Sequence, residues 1–130
     1  MIVVDSSAIV SILARESDAG QFELALEGQS HVTILAANKL EVMMVYGGKY
    51  GEAGFTVAQD LLDRYAIKVL PLTEALADLA AQAFIRFGKG RHPAKLNFGD
   101  CMAYALAKSL DAPLLYKGGD FALTDVRSAL

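Results

Sequence analysis

Four short, apolar runs alternate with longer stretches of helical periodicity, and this alternation constrains the fold more than any other feature of the chain. Met1-Ile2-Val3-Val4, His31-Val32-Thr33-Ile34, Ile67-Lys68-Val69-Leu70 and Pro113-Leu114-Leu115-Tyr116 each read as a short, largely buried strand. Between and after them the apolar spacing predicts helices over 8–13, 18–28, 36–46, 53–65, 74–87 and about 97–109. Ser6 and Ser7 can cap the first helix, Gly28 ends the second, and Gly47-Gly48 are expected to stop the third. Strands alternating with helices predict an α/β domain with a mostly parallel central sheet. Such folds gather their sites at the carboxyl ends of the strands.

At 130 residues the chain is expected to form one domain over 1–130, and 54% hydrophobic residues demand that most elements bury at least one face. No apolar run reaches the roughly 18 residues needed to span a bilayer, and the start lacks a basic signal-peptide region. A cytoplasmic location with no membrane partner is the expectation. The single Cys101 excludes an internal disulfide. A net charge of −3 gives no bulk electrostatic footprint for nucleic acid. This argues against a coating role, but not against a nuclease whose acidic site is offset locally by bound metal.

Four acids stand where a carboxylate has little structural reason to be. Asp5 ends the first strand run, and Glu41 is embedded in Leu40-Glu41-Val42-Met43-Met44-Val45. Asp100 opens the helical pattern Cys101-Met102-Ala103-Tyr104-Ala105-Leu106, and Asp120 follows the last strand run. Charges in apolar surroundings are costly unless paired or bound to a cation. Carboxylates gathered from separate elements are hard oxygen ligands suited to Mg²⁺ or Mn²⁺. Each acid also has a plainer reading. Asp5 can be a helix N-cap, Glu41 a solvated helix residue, Asp100 a complement to the helix dipole and Asp120 a turn residue. The joint pattern favours a metal-dependent phosphodiesterase centre.

The segments Val4-Asp5-Ser6-Ser7-Ala8, Glu41 within its helix, and Asn97-Phe98-Gly99-Asp100-Cys101 closely resemble the PIN-domain family. The tail Leu114-Leu115-Tyr116-Lys117-Gly118-Gly119-Asp120-Phe121, with Thr124-Asp125 beyond it, looks like the bacterial VapC toxin branch of that family. The resemblance covers essentially the whole chain. It implies a Rossmann-like three-layer α/β/α sandwich and an endoribonuclease acting on RNA with Mg²⁺, or Mn²⁺ in its place. It also implies a homodimer inhibited by a cognate antitoxin. Asp5, Glu41 and Asp100 would form the main catalytic and metal site, with Asp120 as the fourth acid and Asp125 as its substitute. One departure stands out: Gly119 replaces a position that is commonly polar.

Several further residues carry two readings. Ser7 can hydrogen-bond a carboxylate or a metal-bound water, or simply cap its helix. Lys117 can contact substrate phosphate, or snorkel from the strand end. Arg91, with Arg86, Lys89 and His92, can bind RNA backbone or form a solvated basic loop. His31 and His92 lack ligand spacing. The stretches Val42–Tyr46 and Val57–Leu62 are candidate dimer faces. Three other functional classes compete. A phosphate-accepting receiver domain needs an acceptor Asp ending a central strand, which 67–71 does not offer. A haloacid-dehalogenase-type phosphatase needs Asp-x-Asp after the first strand, where this chain has Asp5-Ser6-Ser7. A non-catalytic or weakly active PIN-like RNA- or protein-binding module is the serious rival, given Gly119.

Overall fold

A computed structural model describes residues 1–130. The elements run β1 (Ile2–Val4), α1 (Ser6–Leu13), α2 (Ala19–Glu27), β2 (Val32–Leu35), α3 (Ala36–Tyr50), α4 (Glu52–Arg64), β3 (Lys68–Leu70), α5 (Glu74–Phe87), α6 (Phe98–Ser109) and β4 (Leu114–Leu115), with a 3₁₀ turn at Phe121–Leu123. The strands form one sheet in the order β3-β2-β1-β4, and every pairing is parallel. Ile2 pairs with Val32, Val3 with Leu114, and Thr33 with Lys68. The C-terminal tail covers the β4 edge, where the Leu114 amide donates to Arg127 O at 2.8 Å and the Ala129 amide to Leu114 O at 2.9 Å.

Strand alternation sorts the core into two layers. Val3, Leu35 and Leu114 face α5 and α6, joining Ala80, Ala83, Phe87 and the inner residues of α6. Ile2, Val4, Val32, Ile34 and Leu115 face the other way, onto Ile9, Ile12, Phe22, Leu26, Ala58, Leu61 and Leu62. Helices therefore cover both faces of a parallel sheet, as the alternation of elements predicts. All of Cys101–Ala107 is buried, because α6 lies against the sheet, α5 and α3 at once. Burial also pushes the Cys101 thiol up to about 11, so it stays protonated and behaves as a small apolar side chain.

Two local expectations are corrected. Helix α3 does not stop at Gly47-Gly48 but continues to Tyr50 and ends at Gly51, which adopts φ 65°. The reason is close helix packing. A Cβ on Gly47 would lie 2.4 Å from the Phe55 ring, and one on Gly54 would lie 2.1 Å from Tyr46 O. Glycine inside a helix costs about 1 kcal/mol relative to alanine, and here it permits the α3–α4 approach. The cap of α1 is Asp5 rather than Ser6 or Ser7: the Ser7 amide donates to Asp5 Oδ2 at 3.0 Å. The two candidate dimer faces are only partly available. Val42, Tyr46, Ala58, Leu61 and Leu62 are core, while Met44, Val45 and Val57 remain exposed.

Candidate functional site

The carboxyl ends of the strands feed directly into the acidic residues. Val4 is the last residue of β1, and the Asp5 amide that follows donates to Leu115 O of β4 at 2.9 Å. This bond places Asp5 at the centre of the sheet edge. Its carboxylate is 2% exposed. Oδ2 accepts from the Ser7 amide, whereas Oδ1 is buried with no hydrogen-bond partner. Burial raises its pKa from 3.8 to about 7, against the lowering effect of the Ser7 hydroxyl and amide. The charges of Asp100 and Glu41 push it the same way as burial.

Glu41 reaches this neighbourhood from the second turn of α3. Its Oε1 accepts a hydrogen bond from the Ser6 hydroxyl, so two adjacent serines serve two different acids. Gly99 is the close-approach point: a Cβ there would sit 2.6 Å from Glu41 Oε2 and 2.8 Å from Oε1. Only glycine lets the start of α6 lie flat against the Glu41 carboxylate. The approach is reinforced by Asn38, one turn before Glu41 and fully buried, whose Nδ2 donates to Gly99 O at 3.0 Å.

Asp100 is the third residue of α6 and half of a capping box. The Asp100 amide donates to Asn97 Oδ1 at 2.9 Å, and the Asn97 amide donates to Asp100 Oδ2 at 3.1 Å. The plain helix-end reading of Asp100 is thus correct and still leaves one carboxylate oxygen free. Desolvation raises its pKa, the Asn97 backbone bond opposes that, and the charges of Asp120 and Glu41 add to the rise. Asp120 stands just before the 3₁₀ turn and makes no cap with its side chain. Asp5 thus lies in the field of Glu41 and Asp100, and Asp100 in that of Glu41 and Asp120, so Asp120 joins the group through Asp100 alone.

No internal cation answers them. The ion pairs of the structure involve Asp125, Glu16, Asp18 and Asp111, and none involves these four acids. No three or more acidic, histidine or cysteine side chains lie close enough together to hold a metal ion as a group. A hard divalent cation that keeps several waters does not require one, since one or two carboxylates suffice. The unpartnered buried oxygen of Asp5 and the uncompensated charge around it fit such a cation.

Three predicted site residues are placed elsewhere. Asp125 accepts from the buried Tyr104 hydroxyl and pairs with Lys108 at 3.3 Å and Arg86 at 3.4 Å. It anchors the tail on α5 and α6 and cannot substitute for Asp120. Those partners hold its carboxyl below the ordinary range, Tyr104 most strongly. Arg91 donates from Nε to Ile85 O at 3.1 Å, satisfying a carbonyl in the last turn of α5. The Lys117 ammonium is engaged by Glu16 and Asp18. His92 accepts from the Ala94 amide at 3.0 Å and meets Phe87 edge-on. Sequence reasoning missed Ser6, Asn38 and Gly99. The first two look like ordinary helix-start polar residues, and Gly99 like a helix-start glycine. Only the burial of Asn38 and the Gly99–Glu41 approach reveal their part.

Beside Glu41 and Gly99 opens an apolar groove of about 530 Å³, lined also by Leu40, Met44, Phe98 and Met102. Phe98 is 78% exposed.

Comparison with known proteins agrees with this architecture. The PIN domain matches residues 2–126. Ribonuclease VapC30 of Mycobacterium tuberculosis is 42% identical over 125 residues, covering 95% of each chain. Ribonuclease VapC of Mycolicibacterium smegmatis is 43% identical over 124 residues, covering 95% of this chain and 96% of the relative. Among solved structures, the sarcin-ricin loop-cleaving toxin VapC20 of Mycobacterium tuberculosis superposes with a TM-score of 0.79 at 16% identity, over 97% of this chain and 96% of that one. VapBC2 of Rickettsia felis, bound to promoter DNA, gives 0.76 at 13% identity, over 98% and 97%. A parallel sheet sandwiched by helices with acids at its carboxyl edge defines a PIN-type domain. The chain belongs to the PIN-domain family, in its VapC ribonuclease branch.

Proposed function

We propose that this chain is a Mg²⁺-dependent endoribonuclease and the toxin of a toxin–antitoxin pair. The observation that carries the reading is buried Asp5 beside Glu41 and Asp100, with Asp120 acting on Asp100 and no internal cation paired to any of them. Asp5, Glu41, Asp100 and Asp120 would hold Mg²⁺, with Mn²⁺ a chemical equivalent. Such a cation, when bound, lowers the pKa of water and offsets charge developing on phosphate.

The chain's own residues set the stage for in-line attack on a phosphodiester. The Ser7 amide holds Asp5 Oδ2, which orients the carboxylate. Ser6 does the same for Glu41. The Asn97–Asp100 capping box locks Asp100 at the positive end of α6, where its charge is favoured. Asp5 must ionise to serve as a ligand, so a proton leaves it near neutral pH on loading.

The partners follow from the same features. An antitoxin would place a cation, Arg being the best fit to carboxylates, among the four acids. The apolar groove beside Glu41 offers the accompanying contact surface. Exposed Met44, Val45 and Val57 support self-association as a homodimer. The relatives include a toxin–antitoxin complex from Klebsiella pneumoniae, TM-score 0.68 at 18% identity.

The test is single-turnover cleavage of structured RNA with Mg²⁺ and with chelator. Wild type should cut only with metal, while Asp5→Asn and Asp100→Asn should lose at least about a hundredfold, as removing a metal ligand or its support commonly does. Undiminished cleavage by both variants at saturating Mg²⁺ would refute the assignment and favour a binding module.

A further inference from the structure

Lys117 lies two residues beyond β4 and is the one cation close to the carboxyl edge of the sheet whose partners the structure fully defines. Its ammonium is 2.7 Å from Glu16 Oε2 and 3.3 Å from Asp18 Oδ1, both in the segment joining α1 to α2. Asp18 Oδ1 also accepts from the Ser11 hydroxyl at 2.6 Å. The Lys117 amide donates to Ser7 Oγ at 3.0 Å. Ser7 in turn donates its amide to Asp5 Oδ2 at 3.0 Å. The side chain of Lys117 thus grips one neighbour of the site while its backbone grips another.

We propose that Lys117 is a positioning residue of the acidic centre: its ion pairs with Glu16 and Asp18 pin the segment after β4, so that its amide holds Ser7 against Asp5. The inference rests on the reading of Asp5 as a cation ligand. Two observations favour it over a phosphate contact. To reach a phosphate the ammonium would have to leave two carboxylates. And the next two residues, Gly118 at φ 95° and Gly119, bring no side chain that could anchor the segment. The same short segment carries Asp120, so the latch at Lys117 sets the register of the fourth acid as well.

A phosphate contact and a latch predict opposite effects when the acids Glu16 and Asp18 are neutralised. The experiment measures Mn²⁺ affinity of the RNA-free protein by paramagnetic resonance, alongside RNA affinity as a function of salt in chelator. The proteins are wild type, Lys117→Met, Lys117→Arg and the double variant Glu16→Gln with Asp18→Asn. A latch predicts Mn²⁺ affinity about tenfold weaker in Lys117→Met and in the double variant, the size typical of a residue that orients a ligand. Lys117→Arg should restore most of it, because the guanidinium can bridge the same two carboxylates. A phosphate contact predicts unchanged Mn²⁺ affinity throughout. It also predicts tighter RNA binding in the double variant and a salt slope reduced by about one in Lys117→Met; this pattern overturns the proposal. If Lys117→Met fails to fold, the double variant decides alone, since it retains the lysine. Wild-type protein that takes up no Mn²⁺ refutes the cation reading of Asp5. Wild-type uptake matched by the double variant refutes the latch alone.

Discussion

Replacing Asp5 by asparagine should stabilise the metal-free protein, and the gain should depend on pH in one direction only. In the unfolded chain this carboxyl ionises near 3.8, and in the folded protein near about 7. Between those values the folded state holds a proton that the unfolded state has released, so wild-type stability falls as pH rises through this window and levels off above it. At about 1.4 kcal/mol per pH unit, the full gap corresponds to on the order of 4 kcal/mol. Asparagine is as good an N-cap as aspartate, and it can accept the same Ser7 amide, so the helix start is retained while the buried charge is removed. The assay is urea unfolding of both proteins in chelator at about pH 5 and about pH 8. The variant should gain a few kcal/mol over wild type at the higher pH, equivalent to on the order of 10 °C in Tm, and much less at the lower. Saturating Mg²⁺ should narrow the difference, because a ligand at about a hundred times its Kd adds about 2.7 kcal/mol to the form that binds it. An advantage that is independent of pH would show that the charge of Asp5 is not what burial opposes, and the argument for an uncompensated acid would fail.

Three further outcomes are expected. Gly99→Ala should leave Tm within a few degrees, since alanine favours the helix, yet weaken Mn²⁺ binding by about tenfold, because its Cβ displaces the Glu41 carboxylate; calorimetric titration beside a thermal melt checks both. Asp125→Asn should cost about 1 kcal/mol in urea unfolding, through the buried Tyr104 hydroxyl and two exposed ion pairs, and leave Mn²⁺ affinity unchanged. Its carboxyl is held low rather than high, so its contribution is present at neutral pH and disappears on acidification, opposite in sign to Asp5. Metal loading should release protons, more at about pH 6 than at about pH 8, readable as a buffer-dependent binding enthalpy.

The parts of this fold that were legible in the sequence are those governed by local rules. Strand residues such as Ile2-Val3-Val4 and Val32-Thr33-Ile34 show their burial in their side chains, and the alternation with helices dictates parallel pairing. Element ends set by tertiary contact were not legible. Gly47-Gly48 carry a stop signal that Phe55 overrides, because the ring of Phe55 on the neighbouring helix fills the gap at Gly47. The acids were visible as charges in apolar company; Asp5, Glu41 and Asp100 act on one another, and Asp120 acts on Asp100. Asp125 has the same composition around it and a different fate, since Tyr104, Arg86 and Lys108 converge on it from α5 and α6. Whether a cation reaches an acid is a property of packing, and one sequence alone does not display it.

The same distinction explains why the acidic residues also serve the fold. Asp5 is the N-cap of α1 and its amide joins β4, Asp100 completes the cap of α6, and Glu41 fills the space against Gly99. Each acid contributes a local interaction of roughly 1 kcal/mol, which offsets only part of the repulsion and desolvation it brings. The residual imbalance is concentrated on Asp5, the most buried of the four and the one with an unpartnered oxygen. A cation or an arginine entering from outside therefore gains most of its binding energy at that one carboxylate. Neutralising Asp5 should accordingly reduce affinity for both Mg²⁺ and a basic inhibitory segment, whereas neutralising Asp120, half-exposed at the rim, should reduce them less. Competition titrations that rank Asp120→Asn as the more damaging variant would invert this order and place the centre of the site at the rim instead.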